Sequence, residues 1–376
     1  MTPPQPVITL LAIWQEPAQA LRLSDMDWDG VVRVARSAKL LASLADKFET
    51  AGVKRKLPQA VQDALTAQQR TAQYLAQMVQ ATLLRVERTL KPLAVEAVLL
   101  KGAAYLAQGL PAARGRLVSD VDLLIPRARL VEVEQALLLA GWASQAFEAY
   151  DDRYYREWSH ELPPFRTPDQ PLELDVHHQI LPPTGRLHPD ADALLAASTP
   201  LPDSTYSVLA PPDQVLHACA HAFQDSDCTN RLRDVADIDS LLRSFGNAPD
   251  FWNALRQRAQ LHELGRPLWW GIHAAAQFFR TPIPHGFARD IDVFAPPSVP
   301  RHLMGALLAI TLPPGDPDRL PGTRERASRM LMTIRYHWLR MPPRLLARHA
   351  AAKAARQVKA AWTERFASRT GIEGQA

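Results

Sequence analysis

From residue 25 to about 95 the apolar positions recur every three to four residues, the spacing that gathers them on one face of a helix. SDMDWDGVVRVARSAKLLASLADKF opens this run behind Ser24 or Asp25, either of which suits a helix N-cap. A Gln- and Ala-rich segment from Leu57 to Leu90 prolongs it until Pro92. The pattern then changes. VEAVLLKG reads as a short buried strand turning at Gly102 into a helix, AAYLAQGL, and VDLLIP reads as a second strand closed by Pro126. ARLVEVEQALLLAGW returns as an amphipathic helix that stops at Gly141. Residues 143–171, rich in Tyr, Asp and Pro, are expected to hold a strand near Tyr154–Trp158 and a turn through PPFRTPDQP. In LELDVHHQIL the alternation is strict: Leu172, Leu174 and Val176 face one side, and Glu173, Asp175 and His177 the other.

Beyond Pro183 the helical spacing resumes and is expected to persist. Helices are predicted in SVLAPPDQVLHACAHAF, starting after Pro212, in TNRLRDVADIDSLLRSFG and in FWNALRQRAQLHELGRPLWWGIHAAAQFF, with Pro-rich linkers at 282–300 and 311–321. The chain shows no internal repeat. The fold class expected is α+β, with an N-terminal helical region over 1–94, a small mixed-sheet core over 95–183, a C-terminal helical domain over 184–320 and a basic helical tail over 321–376. A length of 376 residues agrees with more than one ordinary core.

Composition adds exclusions. With 47% hydrophobic and 22% charged residues the chain reads as globular, and its opening, MTPPQPVITLLAIWQEPAQ, has neither a basic start nor a long apolar stretch. No apolar run approaches the roughly 18 residues of a spanning helix, so a soluble, cytoplasmic protein is expected. Cys219 and Cys228 are too few for a disulfide framework or a four-cysteine zinc site and are expected to pack as small apolar groups. The net charge of +4 is uneven: residues 321–376 carry twelve Arg and Lys against three Glu. Such a tail either attracts a polyanion or forms a solvated helix face.

The chemistry concentrates on the strands. Asp120 and Asp122 lie at i and i+2, which puts both carboxylates on one side of a strand roughly 6.7 Å apart. Two buried like charges repel and drive one pKa upward unless a cation sits between them. Divalent ions about 3.5–4 Å apart in two-metal phosphoryl chemistry are held by such pairs. An upstream strand with a Lys-Gly turn into a helix offers free backbone N–H groups to a phosphate. Downstream, Asp175 lies on a strand whose polar face can complete a carboxylate triad.

This order of elements resembles the nucleotidyltransferase superfamily that shares its catalytic fold with DNA polymerase β. More narrowly, LLKGAAYL, RLVSDVDLLIP, LELDVHH, LHACAHAF and RLRDVADIDSLL resemble a bacterial family of uncharacterised nucleotidyltransferases, over roughly residues 25–280. The resemblance implies a small mixed-sheet core of the polymerase β type that uses Mg²⁺ or Mn²⁺ and an NTP. It implies Asp120 and Asp122 as metal ligands, and Asp175 as a third ligand or as the base that deprotonates the acceptor hydroxyl. It also implies Lys101, Gly102, Arg116 and Ser119 as nucleotide contacts; for Arg116 a surface arginine beside an acidic strand is the alternative. His177, on the same strand face as Asp175, is the candidate contact for a phosphate or the acceptor. One departure stands out: Ala103 follows Gly102 where the wider superfamily usually has serine or a second glycine, and the span from Gly102 to Asp120 is longer than in shorter members.

The activity implied is transfer of an NMP, AMP foremost, to an acceptor hydroxyl on a small molecule, a peptide or an RNA, with release of pyrophosphate. The competing expectation is an inactive protein of the same fold that holds a nucleic acid or protein partner through the basic tail. His178, His217 and His221 are expected to be packed histidines, since no glutamate follows His217 as the zinc-protease pattern requires. Asp234, Asp237 and Asp239 are expected to cap or form ion pairs, and Trp269 and Trp270 to lie in the core.

Overall fold

The computed structural model describes residues 3–144, 158–168 and 171–342, together with Arg344. Ser24 is the N-cap of the helix Asp25–Ser37, and its partner in a capping box is Asp27, whose carboxylate accepts from the Ser24 backbone N–H. Helices Leu41–Thr50 and Gln59–Leu90 follow, the second running for 32 residues. Among the described residues seven strands then form one mixed sheet: β1 (Ala97–Leu99), β2 (Asp120–Leu124), β3 (Ala143–Ser144), β4 (Phe165–Arg166), β5 (Glu173–His177), β6 (Thr199–Pro200) and β7 (Tyr206–Val208). Their spatial order is β3-β4-β5-β2-β1-β7-β6.

β1 is antiparallel to β2, while β2 and β5 run parallel, so the chain between them must cross over. The helix Leu130–Leu139 makes that crossover and ends as expected, with Gly141 at φ 86° closing it. Along β2 and β5 the alternate residues Val121, Leu123, Leu174 and Val176 are all fully buried, which turns the remaining face toward the polar cluster. The strand expected near Tyr154–Trp158 falls, apart from Trp158, outside the described residues.

The sheet does not end at residue 183. β6 and β7 join it beyond that point, with β7 parallel to β1, so the expectation of helix alone after Pro183 is corrected. The missed signal is Tyr206-Ser207-Val208, a short run of buried strand formers between turn residues. Helices Pro211–Phe223, Leu232–Phe245, Phe251–Leu261 and Gly265–Phe279 then pack together, and Trp269 and Trp270 are buried among them. Cys219 and Cys228 are buried free thiols. The start of the basic segment is a docked helix, Thr323–Arg340: Met332 is fully buried, and Arg335 donates to the Phe223 carbonyl over 2.8 Å. Residues 345–376 lie outside the described ones. No helix among the described residues is long and apolar enough to cross a membrane.

Candidate active site

Because β1 and β2 are antiparallel, the end of β1 lies beside the start of β2, and Leu100 N–H donates to the Asp122 carbonyl over 3.0 Å. The chain turns immediately at Lys101, which has a left-handed φ of 44°, into the short helix Lys101–Ala107. This turn delivers the Lys101 amine to 2.8 Å from Asp122 Oδ1. On the other side of β2, the parallel register sets Asp122 opposite Asp175, and Leu124 opposite His177. Asp120, Asp122, Asp175 and His177 therefore share a face, and a carboxylate oxygen from each aspartate lies within 4.8 Å of the other two. His177 Nε2 reaches Asp122 Oδ1 at 2.9 Å.

The three carboxyls do not have equal acidity. Burial raises Asp122, but the Lys101 ammonium and His177 outweigh it and hold this carboxyl well below the usual range. Burial followed by repulsion from Asp122 pushes Asp120 up. The same two causes push Asp175 up to about 8, and its Oδ1 is buried with no hydrogen-bond partner among the described residues. Burial works against the charge of Lys101, yet Asp122 and Asp120 more than compensate and raise its pKa. The site thus holds one firmly ionised carboxylate, two that resist ionisation and one fixed cation.

The other expected nucleotide contacts sit around this core. Ser119 Oγ lies 3.3 Å from Asp120 Oδ1. Gly102 is pressed by the returning loop: a Cβ built on it would stand 2.9 Å from Arg116 Nε and 3.0 Å from Val118. Arg116 is not a surface arginine: its guanidinium is ion-paired with buried Asp237, and its charge also acts on Asp120. Ala103 is buried in the apolar core. The long span from Gly102 to Asp120 is accounted for by the loop through Gly115, which packs against the backbone of Ala42 and Ser43.

Other polar residues behave as structural groups. Asp234 pairs with Arg231, Asp237 with Arg116 and Arg233, and Asp239 with Arg243 and Thr281. His217 is buried, and burial pushes its pKa down to about 3; burial also drives His221 well down and His178 to about 4. Two residues that sequence reasoning missed stand beside the aspartates. His160 and Glu161 reach His177, and the three form a second group of side chains within 4.8 Å of one another.

The family model described as uncharacterised nucleotidyltransferase matches residues 24–280, well over half the chain and all of the carboxylate cluster. The chain belongs to that nucleotidyltransferase family. No curated protein matches it. A divalent cation of the kind that nucleotidyltransferases use fits the residues present: Asp120, Asp122 and Asp175 offer only hard oxygen donors, and the buried, unpartnered Asp175 Oδ1 is an atom that a cation would satisfy.

Proposed function

We propose that this nucleotidyltransferase moves an NMP, AMP being the expected one, from an NTP to an acceptor hydroxyl. Asp120, Asp122 and Asp175 would hold Mg²⁺ or Mn²⁺, and the bound ion would neutralise charge on the phosphates. The observation that carries this reading is the convergence of three carboxylates from two parallel strands within 4.8 Å. A chain without metal chemistry gains nothing from burying like charges together.

In the proposed reaction the acceptor oxygen bonds to the α-phosphorus as the bond from that phosphorus to pyrophosphate breaks. The hydroxyl proton passes to the Asp175 carboxylate, and pyrophosphate leaves with the displaced electron pair. Asp175 suits this role because it lies opposite Asp122 on the same sheet face, and its Oδ1 has no hydrogen-bond partner among the described residues. Lys101 supplies a fixed cation for phosphate oxygens, Ser119 and Gly102 border the nucleotide, and His177 orients the Asp122 carboxylate through its Nε2. Positioning and electrostatics carry most of the catalysis. The acceptor is a hydroxyl of a small molecule, a peptide or an RNA, and the basic segment beyond residue 321 is proposed to favour a polyanionic one.

The test is incubation with labelled ATP, CTP, GTP and UTP, Mg²⁺ and cell extract, together with calorimetry of NTP binding. Label is expected on one acceptor class from one nucleotide, falling about a hundredfold or more with Asp122→Asn. Mg²⁺-dependent NTP binding that is absent from the parent protein would instead leave a fold that only binds partners.

A further inference from the structure

We propose that His160, Glu161 and His177 form a second metal site, selective for Zn²⁺ or a similar imidazole-preferring ion, beside the three aspartates. This goes beyond the transfer reaction and does not depend on it. Glu161 forms an isolated antiparallel bridge with His177, which sets the two side chains directly opposite each other. Flanking backbone bonds, Leu162 N–H to the Val176 carbonyl and His178 N–H to the His160 carbonyl, both 2.9 Å, clamp the 160–162 segment onto the end of β5. The ligand atoms are therefore positioned by main chain.

Both imidazoles aim at one carboxylate oxygen. His177 Nδ1 lies 3.4 Å from Glu161 Oε2, and His160 Nε2 lies 3.9 Å from the same atom and 3.7 Å from Asp225 Oδ2. Ligands about 2.1 Å from a tetrahedral ion are separated by about 3.4 Å, so this spacing needs only small adjustment. His177 Nδ1, the nitrogen that faces Glu161, has no hydrogen-bond partner among the described residues although its side chain is only 3% exposed. Meanwhile His177 Nε2 sits on Asp122 at 2.9 Å, the arrangement in which a carboxylate fixes the tautomer of a metal-binding histidine and leaves its other nitrogen as the donor. Two imidazoles and a carboxylate favour zinc-like ions, whereas the all-oxygen aspartate set favours magnesium. A cavity of about 250 Å³ lined by Arg127, Glu134 and His178 reaches Glu161. Through His177, an ion here would also orient Asp122, so His160 and Glu161 act as positioning residues for the aspartate cluster.

The experiment uses the full chain stripped with chelator, dialysed against excess Mg²⁺, and titrated with Zn²⁺ and, for its visible spectrum, Co²⁺. One tightly held equivalent is expected despite the Mg²⁺, with an intense tetrahedral Co²⁺ spectrum. His160→Gln and Glu161→Gln are each expected to weaken it by more than about tenfold, while Asp120→Asn leaves it in place. Circular dichroism of both variants separates loss of the ion from loss of the fold. Binding that is absent with Mg²⁺ present, or unchanged in both folded variants, overturns the proposal. The first outcome would mean that His177 bridges Asp122 and Glu161 as an imidazolium, and the second that the zinc is adventitious.

Discussion

Asp175 shows how one side chain couples the cluster to stability. Its carboxyl stands at 3.8 in an unfolded chain and is pushed up to about 8 in the fold by burial and Asp122. Between those values the unfolded chain has lost the proton while the folded chain keeps it, so each upward step in pH favours unfolding. Thermal melting of the ion-free protein is therefore expected to shift downward from about pH 4 to pH 8, relative to Asp175→Asn. Parallel pH profiles for the two proteins would contradict the assignment. Much of this site is legible from residue spacing: the i, i+2 pair fixes Asp120 and Asp122 on one side of their strand, and strict alternation fixes Asp175 and His177 together on one side of theirs. His160 and Glu161 are not legible that way. Their alignment comes from a single bridge to β5, which leaves no periodic trace in the sequence.

At the scale of elements, the loop between Gly109 and Val118 decides how the turn at Lys101 is held. Gly115 has φ 65°, and a Cβ there would stand 2.4 Å from the backbone of Ala42 and Ser43. Gly115→Ala thus combines left-handed strain with a backbone clash and is expected to cost about 3 kcal/mol in denaturant unfolding. Gly52, with φ 66° and open space around it, is the internal control, since alanine there carries only the conformational cost of about 1 kcal/mol. Equal costs at the two positions would show that the loop is not seated on the Leu41–Thr50 helix. The helix boundaries here follow local chemistry, as at the Ser24 capping box and at Gly141. β6 and β7 do not: two- and three-residue strands lack a full period and exist because β1 has a free edge beside them.

Across the whole molecule, buried Arg233 ties the segments together. Its guanidinium donates to Ser43 Oγ at 2.7 Å and to the Ala112 carbonyl at 3.1 Å, and it pairs with Asp237 at 2.9 Å. Helices on both sides of the sheet core in sequence and the loop beside Gly102 thus meet at one side chain. Arg233→Met removes these bonds and leaves Asp237 to Arg116 alone. The expected loss is about 3 kcal/mol of stability, with Mg²⁺-dependent nucleotide binding falling as the Arg116 loop loosens. Unchanged unfolding and unchanged nucleotide binding would rule out this linking role. The apolar core is likewise continuous from Val7 to Met332, so the helical segments and the sheet are buried against one another.

The sequence by itself determined where helices and longer strands form and which acids share a strand face. Those properties follow from local periodicity and caps, which act over a few residues. Only the tertiary structure decided that Asp122 is ionised by Lys101 and His177, that Arg116 is committed to Asp237, and that His160 and Glu161 join the cluster. Each depends on strand register and loop packing between segments far apart in the chain, and electrostatic energies are set by those distances and by burial.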